Sequence, residues 1–168
     1  TQHFKGFVLM NSRTKKENYL VSVVVATHNR SKYAIPCIKS LLDINSDDLQ
    51  IVVHDTSDRD EALQSWAQGQ IDTRLVYRHS KERLSMTENH EMALALAEGL
   101  YVCMIGDDDS VSKHIIEVAE YARDHQIEIF TPTTKAAYLW PDFKTKYYGA
   151  AHAGRLYLHT FSGGIESM

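Results

Sequence analysis

The chain has 168 residues, of which 43% are hydrophobic and 24% charged, with a formal net charge of −4. That suffices for one domain with a sizeable core, and the acidic balance excludes nucleic-acid binding driven by bulk charge. No run approaches the roughly 20 apolar residues of a membrane span, and Phe7-Val8-Leu9-Met10 is too short for the apolar core of a signal peptide.

Residues 1–19 read as a polar N-terminal arm with a basic patch at 13–16. Residues 20–26 (LVSVVVA) are β-branched and almost wholly apolar, the pattern of a strand covered on both faces. The polar turn Thr27-His28-Asn29-Arg30-Ser31 follows, then a helix over about 32–44 with Ser31 as its expected cap. Pro36 fits a first turn better than a helix middle, so Ile35 is the expected start. Residues 49–54 read as a second strand ending in the turn Asp55-Thr56-Ser57-Asp58, and 61–68 as a short helix. A short strand is expected at 74–78, then a polar loop at 79–86. A strongly amphipathic helix is expected over 87–97, carrying Met92, Leu94 and Leu96 and stopped by Gly99. Residues 100–105 form the next strand and 113–125 a helix capped by Ser110 or Ser112, with Ile115, Ile116, Val118, Ala119 and Ala122 as its apolar stripe. Further strands are expected at 127–131, 136–140 and 155–159.

Strands alternating with helices over about 110 residues imply an α/β fold of βαβ units, a mostly parallel central sheet flanked by helices. Ligands of such sheets sit beyond the carboxyl ends of the strands. Three polar turns meet there: 27–30, 55–58 and 106–109. The last carries three consecutive aspartates, Asp107, Asp108 and Asp109. Like charges so close repel, and a hard cation such as Mg²⁺ or Mn²⁺ relieves that. Phosphate is the usual third party, so the residues point to metal-assisted chemistry on a phosphate ester. The nine histidines are scattered, without the His-x-x-x-His or Cys-x-x-Cys spacing of a zinc site. Cys37 and Cys103 read as buried free thiols of a reducing compartment, which places the protein in the cytoplasm. Work at the inner membrane face is a minor alternative attached to the basic patch.

The runs VSVVVATHNR, IVVHDTSD and ALAEGLYVCMIGDDD, with LSMTENHE before the last, resemble in order and spacing the family 2 glycosyltransferases over residues 21–125. The resemblance implies a GT-A-type, Rossmann-like fold and transfer of a sugar from a nucleotide-diphosphate sugar, UDP-sugar favoured, to a glycan or polysaccharide acceptor, with inversion. It implies Mn²⁺ or Mg²⁺ as cofactor and no nucleic-acid partner. It assigns Thr27 and Asn29 to the base and ribose, Asp55 to the edge N–H of the base, and Arg83 to base or phosphate. Asp107 is assigned to ribose or metal and Asp109 to the metal of the Asp-x-Asp pair, with Asp108 able to exchange roles with either neighbour. On this view 20–132 bind the nucleotide sugar and 133–168 begin an acceptor region. The catalytic base of the family lies well downstream of the aspartates. Only 59 residues follow Asp109, and neither Asp142 nor Glu166 sits in a recognisable motif, so the base is expected outside the chain. Both ends read as cuts in something longer.

Plainer readings stand beside these. Asp109 alone suits a helix cap and Asp55 a closed turn. Thr27 and Asn29 are good turn formers, most loop arginines resemble Arg83 in being solvated, and His28 and His54 are more often structural. Tyr138, Trp140, Tyr147 and Tyr148 suit an acceptor-sugar platform or a core equally. Rival functions are a non-catalytic nucleotide-binding module and a sugar-phosphate nucleotidyltransferase, although the latter's Gly-rich phosphate loop after the first strand is missing.

Overall fold

A computed structural model describes residues 9–11, 18–130, 134–138 and 156–160. The chain divides into two units, residues 1–130 and 131–168. In the first, β2 (Tyr19–Thr27), β3 (Leu49–Asp55), β4 (Leu75–His79) and β5 (Gly99–Ile105) run parallel. Two short strands, β1 (Leu9–Asn11) and β6 (Ile129–Phe130), complete a six-stranded sheet of order β4-β3-β2-β5-β1-β6. β1 is antiparallel to both its neighbours. Part of the expected arm is therefore a strand, because three of its residues supply the missing partner between β5 and β6. In the second unit, β7 (Thr134–Tyr138) and β8 (Leu156–Thr160) pair antiparallel, close to the expected strands.

The buried runs of β2 and β3 follow from helices on both faces. α1 (Ser31–Leu42), α2 (Ala62–Gln68) and α4 (Ile115–Asp124) cover one face. There Val21, Val23, Val25, Ile51, Val53 and Cys103 pack with Ile38, Leu41, Leu63 and Ala119. α3 (Met86–Leu94) covers the other, where Val24 and Val52 meet Ala93 and Ala97. Consecutive side chains of a strand point to opposite faces, so an unbroken apolar run is what two covered faces require.

Five expectations about local structure are corrected. α1 begins at Ser31 with Pro36 inside it, so the helix accepts the loss of one backbone donor one turn in. Its N-terminus is closed not by a Ser31 cap but by Asp60, whose Oδ2 accepts the Ser31 N–H at 3.0 Å. The third helix is not strongly amphipathic: Met86, Met92 and Leu94 are exposed, and only Asn89 and Ala93 are buried. Its start is set by Ser85, whose hydroxyl accepts the Glu88 N–H while Glu88 accepts the Ser85 N–H. Gly99 stops no helix but opens β5, where a Cβ would lie 2.5 Å from the Ser22 nitrogen. α4 begins after His114 with no side-chain cap, so neither Ser110 nor Ser112 serves as one.

Candidate functional site

Register brings the three polar turns level. Thr27 pairs with Asp55 across β2 and β3, and Val25 with Ile105 across β2 and β5, which sets Asp107 beside Thr27. The chain leaves β2 for β3 and β4 on one side, then returns to β5 on the other. The gap between β2 and β5 is thus the point where the strand order reverses, the usual ligand crevice of an open parallel sheet.

The Thr27 hydroxyl donates to Asp107 Oδ2 at 2.7 Å, inside the protein. Arg30, the last residue before α1, closes the other side. Its Nε lies 3.0 Å from Asp107 Oδ1 and its Nη2 2.9 Å from Asp108 Oδ2. One guanidinium therefore spans two carboxylates. Asp109 turns back on its own loop and accepts the Gly106 N–H on Oδ2 at 3.3 Å. Below, the Cys37 thiol faces the Gly106 carbonyl at 3.9 Å. Burial first, then the charges of Asp107, Asp109 and Asp108, push that thiol up to about 12, so it stays protonated.

Asp55 is fully buried. Its Oδ1 accepts the backbone N–H and the hydroxyl of Ser57, and its Oδ2 accepts the Tyr77 hydroxyl at 2.7 Å. Burial, then the bond to Asp55 and its charge, hold the Tyr77 phenol far above its ordinary range, so it remains a donor. Asn29, at φ 53°, adopts the left-handed conformation that asparagine tolerates better than most residues. Its Oδ1 accepts the N–H groups of Asp58 and Arg59 at 3.1 and 3.0 Å, and its Nδ2 donates to Asp58 Oδ1 at 2.7 Å. That donation leads the causes that hold the Asp58 carboxyl below the usual range. Asn29 thus clamps the first turn to the second.

Behind the site, buried Asn89 of α3 donates to the Thr27 carbonyl at 3.0 Å and lies 2.6 Å from His54 Nδ1. His54 is accordingly structural, and His28 braces the Thr56 carbonyl at 2.8 Å. Arg83 is exposed in the loop before α3, and the structure does not bring it to the other site residues.

Thr27, Asn29, Asp55 and the three aspartates come together as expected from the sequence, while Arg30, Ser57, Tyr77 and Asn89 emerge only here. Arg30, Ser57 and Asn89 stand inside the quoted runs; Tyr77 carries no local signal, since only strand pairing sets it beside Asp55. Trp140, Asp142, Tyr147, Tyr148 and Glu166 lie outside the described residues, as does the basic patch. Among the described residues no three His, Cys, Asp or Glu groups are arranged to hold a metal ion, and no helix is long and apolar enough to cross a membrane.

Comparison with known proteins matches this arrangement to a family. The model of glycosyl transferase family 2 matches residues 22–161. A protein of Escherichia coli strain K12 that bears the name of a colanic acid biosynthesis glycosyl transferase, WcaA, is 33% identical over 104 residues, 61% of this chain and 37% of that protein. An uncharacterised glycosyltransferase of Rickettsia conorii is 26% identical over 167 residues, 98% of this chain and 26% of that one. The chain thus spans roughly a quarter to two fifths of these relatives. Among solved structures, S. aureus TarS in complex with UDP superposes with a TM-score of 0.56 at 22% identity, over 71% of this chain and 35% of that one. The mannosyltransferase PcManGT of Pyrobaculum calidifontis, in complex with GDP-Man and Mn²⁺, gives 0.54 at 21% identity, over 77% and 37%. These likenesses show the fold, which is of the GT-A type. With the parallel sheet, the turns at its carboxyl edge and a family match over most of its length, the chain belongs to glycosyl transferase family 2.

Proposed function

We propose that the carboxyl edge of the sheet binds a nucleotide-diphosphate sugar, UDP-sugar favoured, for transfer of its sugar to a glycan or polysaccharide. The observation that carries this reading is the single guanidinium shared by Asp107 and Asp108, which marks a position where two carboxylates already accept one cation. Hard oxygen donors at that position suit Mg²⁺ or Mn²⁺, which are commonly held by one or two carboxylates with substrate phosphates completing the shell. Asp107 and Asp108 would hold the ion, with Asp109 on the same turn. When bound, such an ion supplies Lewis-acid stabilisation of the leaving diphosphate.

The chain's own groups do the rest. Thr27 orients Asp107. Asn29 keeps the nucleoside side of the site in shape by tying the first two turns together. Asp55 would serve the base through Oδ2, which now accepts the Tyr77 hydroxyl, so Tyr77 would have to give way as the base enters. Arg83, exposed in the loop before α3, would have to swing inward to meet base or phosphate. Residues 20–132 form the donor-binding part and 133–168 the start of the acceptor part. In the inverting reaction the acceptor oxygen bonds the anomeric carbon as the bond to the diphosphate breaks. The nucleoside diphosphate leaves with the electron pair, and a carboxylate base takes the acceptor proton; no described residue is assigned to that base.

Calorimetric titration of UDP, GDP and dTDP, with Mn²⁺ and with chelator, tests the reading on wild type and Asp107→Asn. One nucleotide should bind with Mn²⁺, and removing either the metal or the charge should weaken it at least about tenfold, equivalent to about 1.4 kcal/mol. Binding of equal strength in chelator would remove the metal from the reading, and no binding of any nucleotide would remove the donor site.

A further inference from the structure

We propose that Arg30 is an exchangeable cation of the donor site: it neutralises Asp107 and Asp108 while the site is unliganded, yields that place to a divalent ion, and moves onto the diphosphate. This rests on the donor-site reading above. The guanidinium uses Nε on Asp107 and Nη2 on Asp108, the two carboxylates that the ion would need. Two cations cannot share them, because like charges a few ångströms apart repel strongly at the edge of a protein. Arg30 is free to leave. Its side chain is 44% exposed, and its backbone sits at the start of α1 rather than inside it. The guanidinium carbon lies 4.9 Å from the centre of the Tyr33 ring, a cation–π contact that does not depend on the aspartates. Once displaced, the group would pair with the diphosphate of the bound donor, since a planar guanidinium matches phosphate oxygens in pairs. The exchange makes the divalent ion and the nucleotide arrive together: the ion alone must displace Arg30 without offering it a new partner.

The test measures Mn²⁺ binding by the electron paramagnetic resonance of free Mn²⁺, without and with UDP or GDP, and nucleotide binding at saturating Mn²⁺. Wild type is compared with Arg30→Gln and Arg30→Lys. Arg30→Gln should bind Mn²⁺ alone about tenfold tighter, because its competitor is gone, and the nucleotide about tenfold weaker, because its partner is gone. Arg30→Lys should leave Mn²⁺ affinity near wild type while losing part of the nucleotide affinity, since it keeps the charge without the fork. These opposite signs separate exchange from a merely structural ion pair, whose loss would weaken both. Mn²⁺ affinity that is unchanged or lower in a folded Arg30→Gln, judged by circular dichroism, overturns the exchange while leaving the donor site standing. Failure of wild type to hold Mn²⁺ or nucleotide under any condition overturns both.

Discussion

At the scale of single residues, the site is a set of carboxylates whose oxygens are already engaged. Asp55 shows the cost of that arrangement. It is fully buried, and a buried carboxylate is stable only while donors surround it. Tyr77→Phe removes one of its three donors without changing shape. Hydrogen bonds to charged groups contribute about 1.5–3 kcal/mol, so urea unfolding should show a loss of about that size. The same variant should bind UDP several-fold tighter, because the acceptor on Oδ2 no longer has to be vacated. Weaker UDP binding in a folded Tyr77→Phe would mean that the hydroxyl itself touches the nucleotide. Asp107 is engaged differently, by a neutral hydroxyl on one oxygen and a guanidinium on the other, so one of its partners is itself a charge.

At the scale of elements, the helices are placed by groups distant in sequence. Asp60, from the turn after β3, accepts the first N–H of α1 and the N–H of Ala62. A carboxylate at a helix N-terminus meets both its open donors and the positive end of its dipole. Hydrogen bonds from Ser31, side chain before backbone, and from Ala62 hold the Asp60 carboxyl below its ordinary range despite partial burial. A depressed folded value contributes stability that is present above the ordinary Asp range, near about pH 4, and lost as pH falls through the depressed value. Asp60→Ala should therefore cost about 0.5–1 kcal/mol at pH 7, and the gap between its melting temperature and that of wild type should narrow as pH falls below about 4. A gap of constant size across that range would assign the effect to packing instead of charge. Such contacts explain why the helix starts were hard to read. Ser31 looks like a cap in isolation, but Asp60, 29 residues away, does the capping.

At the scale of the whole molecule, β2 lies between β3 and β5, and the proposed donor site lies at the carboxyl ends of all three. A ligand there touches elements from three separate stretches of chain, so binding should stabilise the first unit as a whole. UDP at about 100 times its Kd should add about 2.7 kcal/mol, seen as a higher melting temperature with Mn²⁺ and as no rise in chelator. An equal rise in chelator would speak for a nucleotide site that works without metal.

The sequence by itself determined the α/β class, the order of strands and helices, the family, and the edge of the sheet where polar turns gather. The family follows from the resemblance of the quoted runs in order and spacing; the rest follows from local pattern: apolar runs too continuous for a half-exposed strand, turns at their ends, and carboxylates directly after one of them. The tertiary structure alone decided what those turns do to one another. Asn29 bonds to the turn after β3, Thr27 to an aspartate 80 residues away, and Arg30 to two of the three aspartates. It also turned Leu9–Asn11 into a strand and exposed one side of α3. Such pairings depend on strand register and on which face a neighbour covers, and neither is encoded in any window of sequence short enough to show a period.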